Sequence, residues 1–171
     1  MSVLNTLPIV IFSAAMIFAA VRDLTTMTIP NWLTLGLTIA FFISAVSLGM
    51  PLADIARHAS AGFALLLIGM GLFARGWIGG GDAKLVAAAS LWLGWGDALP
   101  YLLLASIFGG GLTLFILFYR TLPLPMFLYR QGWLLRLHDR KEGVPYGIAL
   151  AVAGLFIFPQ TEIFRLVSVL S

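Results

Sequence analysis

The sequence predicts an all-α integral membrane protein, with six transmembrane helices in one bundle and both termini outside. Hydrophobic residues make up 61% of the 171 residues, charged residues only 10%, and the mean hydropathy is +1.03. Soluble domains are nearer half apolar and a quarter charged. The apolar residues also fall into long runs separated by short polar segments. A chain of this length is expected to form a single transmembrane domain over residues 1–171.

Composition also narrows the classes of partner and cofactor. The formal net charge is +3, but the basic residues are not gathered into one face, so a nucleic-acid partner is not expected and the bilayer is. The absence of cysteine excludes a disulfide framework, a thiolate metal site and a cysteine nucleophile. His58 and His138 are far apart and do not resemble a pair of metal ligands. We therefore expect no metal and no cofactor, and the oligomeric state is left open.

The first three helices are predicted from apolar runs that approach the roughly 20 residues needed to cross a bilayer. They are about Val3–Val21, about Trp32–Leu48 and about Ala59–Ala74. The second follows a helix-start signal, Ile29-Pro30-Asn31. The first positive charge, Arg22, follows the first run, which is typical of a helix with its N-terminus outside and not of a cleavable signal peptide.

The fourth predicted helix differs from the others because its apolar part, Leu85–Trp95, is too short to span. It reaches a spanning length only if Ile78–Lys84 also lies at membrane depth, which would place Asp82 at the bilayer edge. The fifth helix is predicted at about Leu99–Tyr119, and the sixth at about Val144–Phe158 or longer.

Two segments outside these helices have their own predictions. Pro123–Gly143 mixes large apolar side chains with four basic ones, as in an amphipathic helix that lies in the membrane interface between helices 5 and 6. For its C-terminal half, a charged connecting loop is the alternative. The tail, Thr161–Ser171, either extends the sixth helix or lies on the surface.

Basic residues assign the two sides of the membrane. With the N-terminus outside, eight of the ten Lys and Arg residues fall in inner loops. These eight are Arg22, Arg75, Lys84, Arg120, Arg130, Arg136, Arg140 and Lys141. Only Arg57 and Arg165 fall outside, which is a strong positive-inside bias. The same topology puts Asp23 and Asp82 on the cytoplasmic side.

Two of the seven acidic residues differ from the rest. The other five lie in turns, a charge run or the tail, where a structural role is expected: Asp54, Asp97, Asp139, Glu142 and Glu162. Asp23 and Asp82 border long apolar helices, where a carboxylate indicates a functional site. The structural alternatives are a boundary charge neutralised by Arg22 for Asp23, and a helix N-cap partnered by Lys84 for Asp82.

Two neighbouring carboxylates in a low-dielectric site cannot both ionise easily and share a proton. One can then accept a proton from water while the other donates one to the departing group, which hydrolyses a peptide bond without a covalent intermediate. The sequence contains no GxSxG, no HExxH and no Walker lysine after its glycines. Both Asp residues are therefore the candidates for catalysis.

Glycines precede the second of these acids. Gly79, Gly80 and Gly81 permit a substrate backbone to approach closely and adopt unusual dihedral angles. Irregular backbone at membrane depth is tolerated where it lines a polar cavity. In contrast, Gly109-Gly110-Gly111 in the fifth helix is interpreted as a helix-packing face.

Three blocks resemble the prepilin peptidases, or type IV leader peptidases, which are membrane aspartic proteases with a GxGD motif. The blocks are Asp23 with Ile29-Pro30-Asn31, then Gly79–Leu85 (GGGDAKL), then Val144–Ala149 (VPYGIA). The resemblance implies that Asp23 and Asp82 are the catalytic pair, with Gly79, Gly80, Gly81 and Lys84 as candidates for substrate binding. It implies as substrate the short basic leader of a type IV pilin-like or pseudopilin precursor, cut at the cytoplasmic face of the cell inner membrane.

The chain departs from the bifunctional members of that family. It lacks the cysteine-bearing N-terminal portion linked to methylation of the new N-terminus, so methyltransferase activity is not expected. It resembles the short, peptidase-only CpaA-like branch linked to Flp (tight-adherence) pili. The archaeal preflagellin peptidases are also short, so the sequence leaves a bacterial or archaeal origin open.

Two other classes of function fit parts of the pattern. A small proton-coupled transporter also has intramembrane Asp residues and broken helices. The first three helices, however, contain no counterpart of the GGGD segment. A non-enzymatic pilus-assembly subunit would use Asp23 and Asp82 only as partners of Arg22 and Lys84.

Overall fold

The computed structural model describes residues 3–123 and 131–170, and within these ranges it contains helices and turns but no strand. The predicted all-α class is therefore confirmed. The helices are α1 (Val3–Thr26), α2 (Asn31–Ser47), α3 (Leu52–Ala74), α4 (Gly80–Tyr119), α5 (Gly132–His138), α6 (Gly147–Ile157) and α7 (Glu162–Leu170). A short 3-10 turn, Phe158–Gln160, continues α6.

Several of these helices are long and apolar enough to cross a membrane. In the described residues these are Thr6–Thr26, Leu52–Ala74 and Gly80–Tyr119, with a fourth if Gly147–Gln160 and Glu162–Val169, which meet at 49°, form one span. The apolar α2 is shorter. Large apolar side chains face outward on these helices, as expected for contact with lipid. The number of six spans and the outside position of both termini stay predictions.

A break inside α4 divides it into two segments. Gly94 leaves the helical conformation with φ 70° and ψ 179°, a positive φ that favours glycine. In a straight helix, Gly109 would lie about 40 Å from Asp82. However, Tyr146 packs against Gly109 and lines the same cavity as Asp82, so the chain turns back at Gly94. The two segments correspond to the predicted fourth and fifth helices.

Two helix boundaries differ from their predictions. The third helix begins at Leu52 and not near Ala59, because the charged residues of its first turns pair with each other. Arg57 lies 2.8 Å from Asp54, three residues earlier on the same helix. The first helix continues to Thr26, so Asp23 lies within the last turn of α1 and not beyond the helix.

An aromatic core holds α1, α2, α4 and α6 together. Phe12 of α1 stacks on Phe158 with ring centroids 4.1 Å apart, and Trp92 of α4 lies against Phe12 and Phe41. The Trp92 indole N–H donates a 3.0 Å hydrogen bond to the Leu37 carbonyl, which satisfies its buried polar atom. This core fixes the four helices whose ends carry the candidate site.

The connection between α4 and α6 is held at both ends by one side chain. The Arg120 guanidinium donates hydrogen bonds to the carbonyls of Leu137 at 2.8 Å and of Glu142 and Gly143 at 3.0 Å. Part of the predicted interfacial helix, residues 124–130, lies outside the described residues. The remainder contains α5, whose Leu137 is buried, and its position in the membrane interface stays a prediction.

The C-terminal segment forms a separate helix. α7 bends by 49° away from α6, so it does not simply extend the sixth helix. Ile163 and Val167 of α7 are buried, which places one face of this helix against the bundle.

Candidate active site

Asp23 is buried near the C-terminal end of α1, with 6% of its surface exposed. Its Oδ2 accepts a 2.7 Å hydrogen bond from the backbone N–H of Gly147. Gly147 is the first residue of α6, where backbone N–H groups have no partner within the helix. The N-terminus of α6 therefore orients the Asp23 carboxylate without contributing a cation.

Asp82 lies in the first turn of α4, three residues after the capping residue Gly79. The Asp82 carboxylate lies beside the backbone of Gly79, as acidic side chains at this helix position commonly do. Asp82 is therefore not the N-cap residue that the structural alternative required. Its orientation, like that of Asp23, comes from a backbone amide.

The two acids belong to one site. The charge of Asp23 acts on the Asp82 carboxyl group. Ile29 packs against a residue next to each acid. A methyl group placed on Gly81, which precedes Asp82, would lie 3.2 Å from Ile29, and one placed on Gly147, which binds Asp23, would lie 2.9 Å from it. The end of α1, the α1–α2 connection and the starts of α4 and α6 thus converge on both carboxylates.

Neither acid has a cationic partner among the described residues. The ion pairs found there involve only Asp54, Arg57, His58 and Glu162. Lys84 donates instead to the Asn31 side-chain oxygen at 2.9 Å. The structure therefore does not support the alternative in which Arg22 and Lys84 neutralise Asp23 and Asp82.

A cavity of about 750 Å³ adjoins Asp82, a size typical of ligand sites. Its walls come from α3, the α3–α4 connection, both segments of α4 and the residues before and within α6. Most of its lining is apolar, and the residues that contribute to it include Leu65, Ile68, Leu72, Trp77, Ile78, Val86, Leu102, Ala105, Val144, Tyr146 and Leu150. A carboxylate next to an apolar cavity of this size suits a site for an apolar peptide segment.

The predicted glycines have different surroundings. Gly79 lines the cavity, and a methyl group there would lie 2.8 Å from the Asp82 Oδ2. Gly80 packs on Phe73 and Gly81 on Ile29, so both permit close packing of the first turn of α4. Lys84 lines a different groove, between α2 and α3. Substrate binding by these four residues stays a prediction.

The second glycine cluster is a packing site at one position. A methyl group at Gly109 would overlap the Tyr146 ring, whereas Gly110 and Gly111 have open space around them. The predicted packing role is therefore supported for Gly109 alone.

Sequence reasoning did not identify Tyr146 and Gly147 as site residues. Tyr146 lines the cavity and Gly147 binds Asp23. The signal was present in the Val144–Ala149 block, which the resemblance used without assigning roles to its residues. Among the described residues, no group of three or more His, Asp or Glu side chains could hold a metal ion.

The opposite end of α3 carries a second, polar cavity of about 370 Å³, which we call the Arg57 end. It is lined by Arg57, His58, Leu93, Gly94, Trp95, Gly96, Asp97, Gln160, Glu162 and Arg165. Arg57 and Leu72 are 15 residues apart on α3, which corresponds to about 22 Å. The two sites therefore occupy opposite ends of this helix.

Comparison with known proteins shows to which family the chain belongs. Residues 10–114, which contain both Asp23 and Asp82, match the model of the type IV leader peptidase family. The chain belongs to this family. The family predicted from the three sequence blocks is thereby confirmed.

Individual relatives of this chain are named prepilin leader peptidase/N-methyltransferase. That of Aeromonas salmonicida (strain A449) is 33% identical over 160 residues, which cover 88% of this chain and 48% of the relative. Those of Aeromonas hydrophila and Xanthomonas campestris pv. campestris are 31% and 27% identical, again over 48% of each relative. The chain thus spans about half the length of the curated relatives it matches. No solved structure matches it.

Proposed function

We propose that this chain is a membrane-embedded aspartic endopeptidase that removes the short basic leader from type IV pilin-like precursors. Its relatives are named as prepilin leader peptidases, and family membership supports a peptidase. The observation that carries the proposal is the placement of Asp23 and Asp82: the charge of Asp23 acts on Asp82, Asp82 lines the cavity, and neither acid has a cationic partner among the described residues.

The chemistry follows from two carboxyl groups that share one proton. The ionised group removes a proton from a water molecule as its oxygen attacks the scissile carbonyl carbon, while the protonated group hydrogen-bonds to the carbonyl oxygen. Collapse of the tetrahedral intermediate breaks the C–N bond, and a proton passes from the acid to the leaving amine. No bond forms between enzyme and substrate.

The surroundings of Asp82 suit the point where a leader meets a hydrophobic helix. The apolar cavity would accept residues of the hydrophobic segment, and Gly79 lets a backbone approach the carboxylate. The resemblance to the family implies a cut after a glycine, whose lack of a side chain would let the scissile bond approach Asp82. We include Gly80, Gly81 and Lys84 as candidates for substrate contacts.

The topology forms part of the proposal. We propose six spans with both termini outside, in which the two segments of α4 are the fourth and fifth. Arg57 and Arg165, the two basic residues predicted outside, line one cavity at the far end of α3 from Asp82, which supports this assignment. Asp23 and Asp82 would then face the cytoplasm from the inner membrane.

The substrate subclass is also proposed. The resemblance to the short CpaA-like branch favours precursors of Flp-type pili. Methyltransferase activity, which the names of the relatives include, is not part of this proposal.

Cleavage of a pilin precursor by purified enzyme in lipid vesicles tests the proposal. Asp23→Asn and Asp82→Asn should each lower the cleavage rate by about 10³-fold or more, because an amide can neither accept nor donate the required proton. Mass spectrometry of the products identifies the cut bond.

Asp54→Asn is the matched control, because Asp54 is paired with Arg57 at the opposite end of α3. It should retain cleavage within about twofold, as expected for loss of a surface ion pair. All three variants should remain folded in the membrane. Cleavage at the wild-type rate by either active-site variant would show that the paired-carboxylate mechanism is wrong.

A further inference from the structure

A hydrogen bond between Lys84 and Asn31 is a contact near the site that the mechanism above does not use. The Lys84 ammonium donates to the Asn31 side-chain oxygen at 2.9 Å. Asn31 is the first residue of α2, and Lys84 follows Asp82 by two positions on α4. Side chains two positions apart leave nearly opposite sides of a helix, which agrees with Asp82 and Lys84 lining different cavities. The bond therefore holds the side of α4 that faces away from the Asp82 carboxylate.

A second contact lies beside this bond. Gly81 and Lys84 are three positions apart, so they share one side of α4. Gly81 packs on Ile29, where a methyl group on the glycine would lie 3.2 Å from the Ile29 side chain, and Ile29 is buried. Ile29 precedes Asn31 by two positions. Because Asp82 lies between Gly81 and Lys84 in sequence, the two contacts together fix the turn of α4 that carries this acid.

The start of α2 is also tied to the other acid. Only seven residues separate Asp23 from Asn31, and the first part of this connection is held by a 2.9 Å hydrogen bond from the Met27 N–H to the Asp23 carbonyl. Ile29, in the same connection, packs against Gly147, whose N–H binds the Asp23 carboxylate. A shift of Asn31 relative to α4 therefore changes the position of one carboxylate relative to the other.

We propose that Asn31 and Lys84 are positioning residues that set the placement of Asp82 relative to Asp23, and this inference rests on the proposed function. Their hydrogen bond keeps the first turns of α4 in register with the connection that follows Asp23, and neither side chain takes part in bond cleavage. This role differs from the substrate contact considered for Lys84 above. Loss of positioning lowers kcat, whereas loss of a substrate contact raises KM.

The chain contains a matched control for this bond. The Trp95 indole N–H donates to the Ser60 hydroxyl, also at 2.9 Å, and this bond likewise joins two exposed side chains on different helices. Trp95 lines the polar cavity at the Arg57 end, at the far end of α3 from Asp82. Loss of either bond should lower stability to a similar extent, and only the bond between Asn31 and Lys84 lies next to an acid.

Precursor cleavage by the full chain in lipid vesicles, with kcat and KM measured separately, tests the proposal. Lys84→Met and Asn31→Ala should each lower kcat by about tenfold, with KM within about twofold of wild type. The double variant should lose no more than either single variant, because both substitutions remove the same bond. Asn31→Asp keeps an acceptor oxygen and should keep kcat within about twofold of wild type.

Ser60→Ala should leave kcat and KM unchanged and should lower the Tm by about as much as Lys84→Met. The proposal is overturned if the kcat losses of Lys84→Met and Asn31→Ala multiply in the double variant. It is also overturned if Lys84→Met raises KM at wild-type kcat, since Lys84 would then contact the substrate. Equal kcat losses in Asn31→Asp and Asn31→Ala, or in Ser60→Ala and Lys84→Met, would overturn it as well.

The same assay separates this inference from the proposed function. An inactive Asp82→Asn together with a wild-type kcat for Lys84→Met would reject the positioning role alone. An active Asp82→Asn would reject the proposed function.

Discussion

The two ends of α3 hold carboxylates in opposite ways. At the Arg57 end, the Arg57 guanidinium lies 2.8 Å from Asp54 and 3.7 Å from Glu162, so these two acids each have a cation beside them. At the other end, the polar groups found next to the two acids among the described residues are backbone amides: that of Gly147 donates to Asp23, and that of Gly79 lies beside Asp82. Both ends lie in the same apolar bundle, so composition does not explain the difference.

The comparison separates charges that support the fold from charges that are available for chemistry. A cation next to a carboxylate keeps it ionised and removes it from proton transfer at ordinary pH. A backbone amide fixes the direction of a carboxylate without supplying a full opposite charge. The amides of Gly147 and Gly79 therefore orient Asp23 and Asp82 and leave both able to exchange protons.

The largest effect expected from a change outside the two acids is at Gly147. A methyl group there would lie 2.8 Å from the Asp23 Oδ2 and 2.9 Å from Ile29, so Gly147→Ala must displace the carboxylate that the Gly147 amide holds. Cleavage should fall by about 100-fold, as expected when a catalytic group moves by about 1 Å. The measurement is kcat for precursor cleavage in vesicles.

Gly132→Ala is the control for that substitution, because Gly132 is also the first residue of a helix and has open space around it. It should cleave at the wild-type rate. If Gly147→Ala were as active as Gly132→Ala, the amide of α6 would not be what orients Asp23.

A smaller effect is expected at Gly109, where a methyl group would overlap the Tyr146 ring. A tyrosine ring can swing aside, so Gly109→Ala should change the cavity wall and leave the acids in place. We expect kcat/KM to fall by about three- to tenfold, mainly through KM. Gly110→Ala, which meets no atom within 4 Å, should match wild type. Equal kinetics of the two variants would exclude Tyr146 from substrate binding.

The smallest effect is expected at the Arg57 end. Glu162 lies 3.7 Å from Arg57 and 3.6 Å from His58, and its side chain is 42% exposed. Glu162→Gln should lower the free energy of unfolding by less than about 1 kcal/mol, as exposed ion pairs usually do. Cleavage should be unchanged, and thermal unfolding with the vesicle assay measures both. A large loss of cleavage would mean that the two ends are coupled.

Much of the fold could be predicted because each membrane-spanning helix corresponds to a long apolar run in the sequence. Long apolar runs located α1, α2 and both segments of α4, and the chain turns at Gly94, next to the predicted end of the fourth helix. The start of α3 was predicted too late because Asp54 and Arg57 interrupt its apolar pattern. Their mutual pairing within the helix depends on geometry that hydropathy does not contain.

The candidate site was predictable only in part. Asp23 and Asp82 stood out because carboxylates are rare next to apolar helices. The bond from Gly147 to Asp23 joins residues 124 positions apart, and no local pattern of the sequence contains such a contact.

Arg120 has a consequence for how the sequence of this chain can vary. The Arg120 guanidinium, at the end of α4, donates hydrogen bonds to the carbonyls of Leu137, Glu142 and Gly143. The last two of these residues come shortly before Gly147, which binds Asp23. Because these hydrogen bonds hold the segment before Gly147 against the end of α4, the position of Gly147 does not depend on the length or sequence of residues 121–136. Relatives could therefore differ in the length and sequence of that stretch while the geometry around Asp23 stays the same.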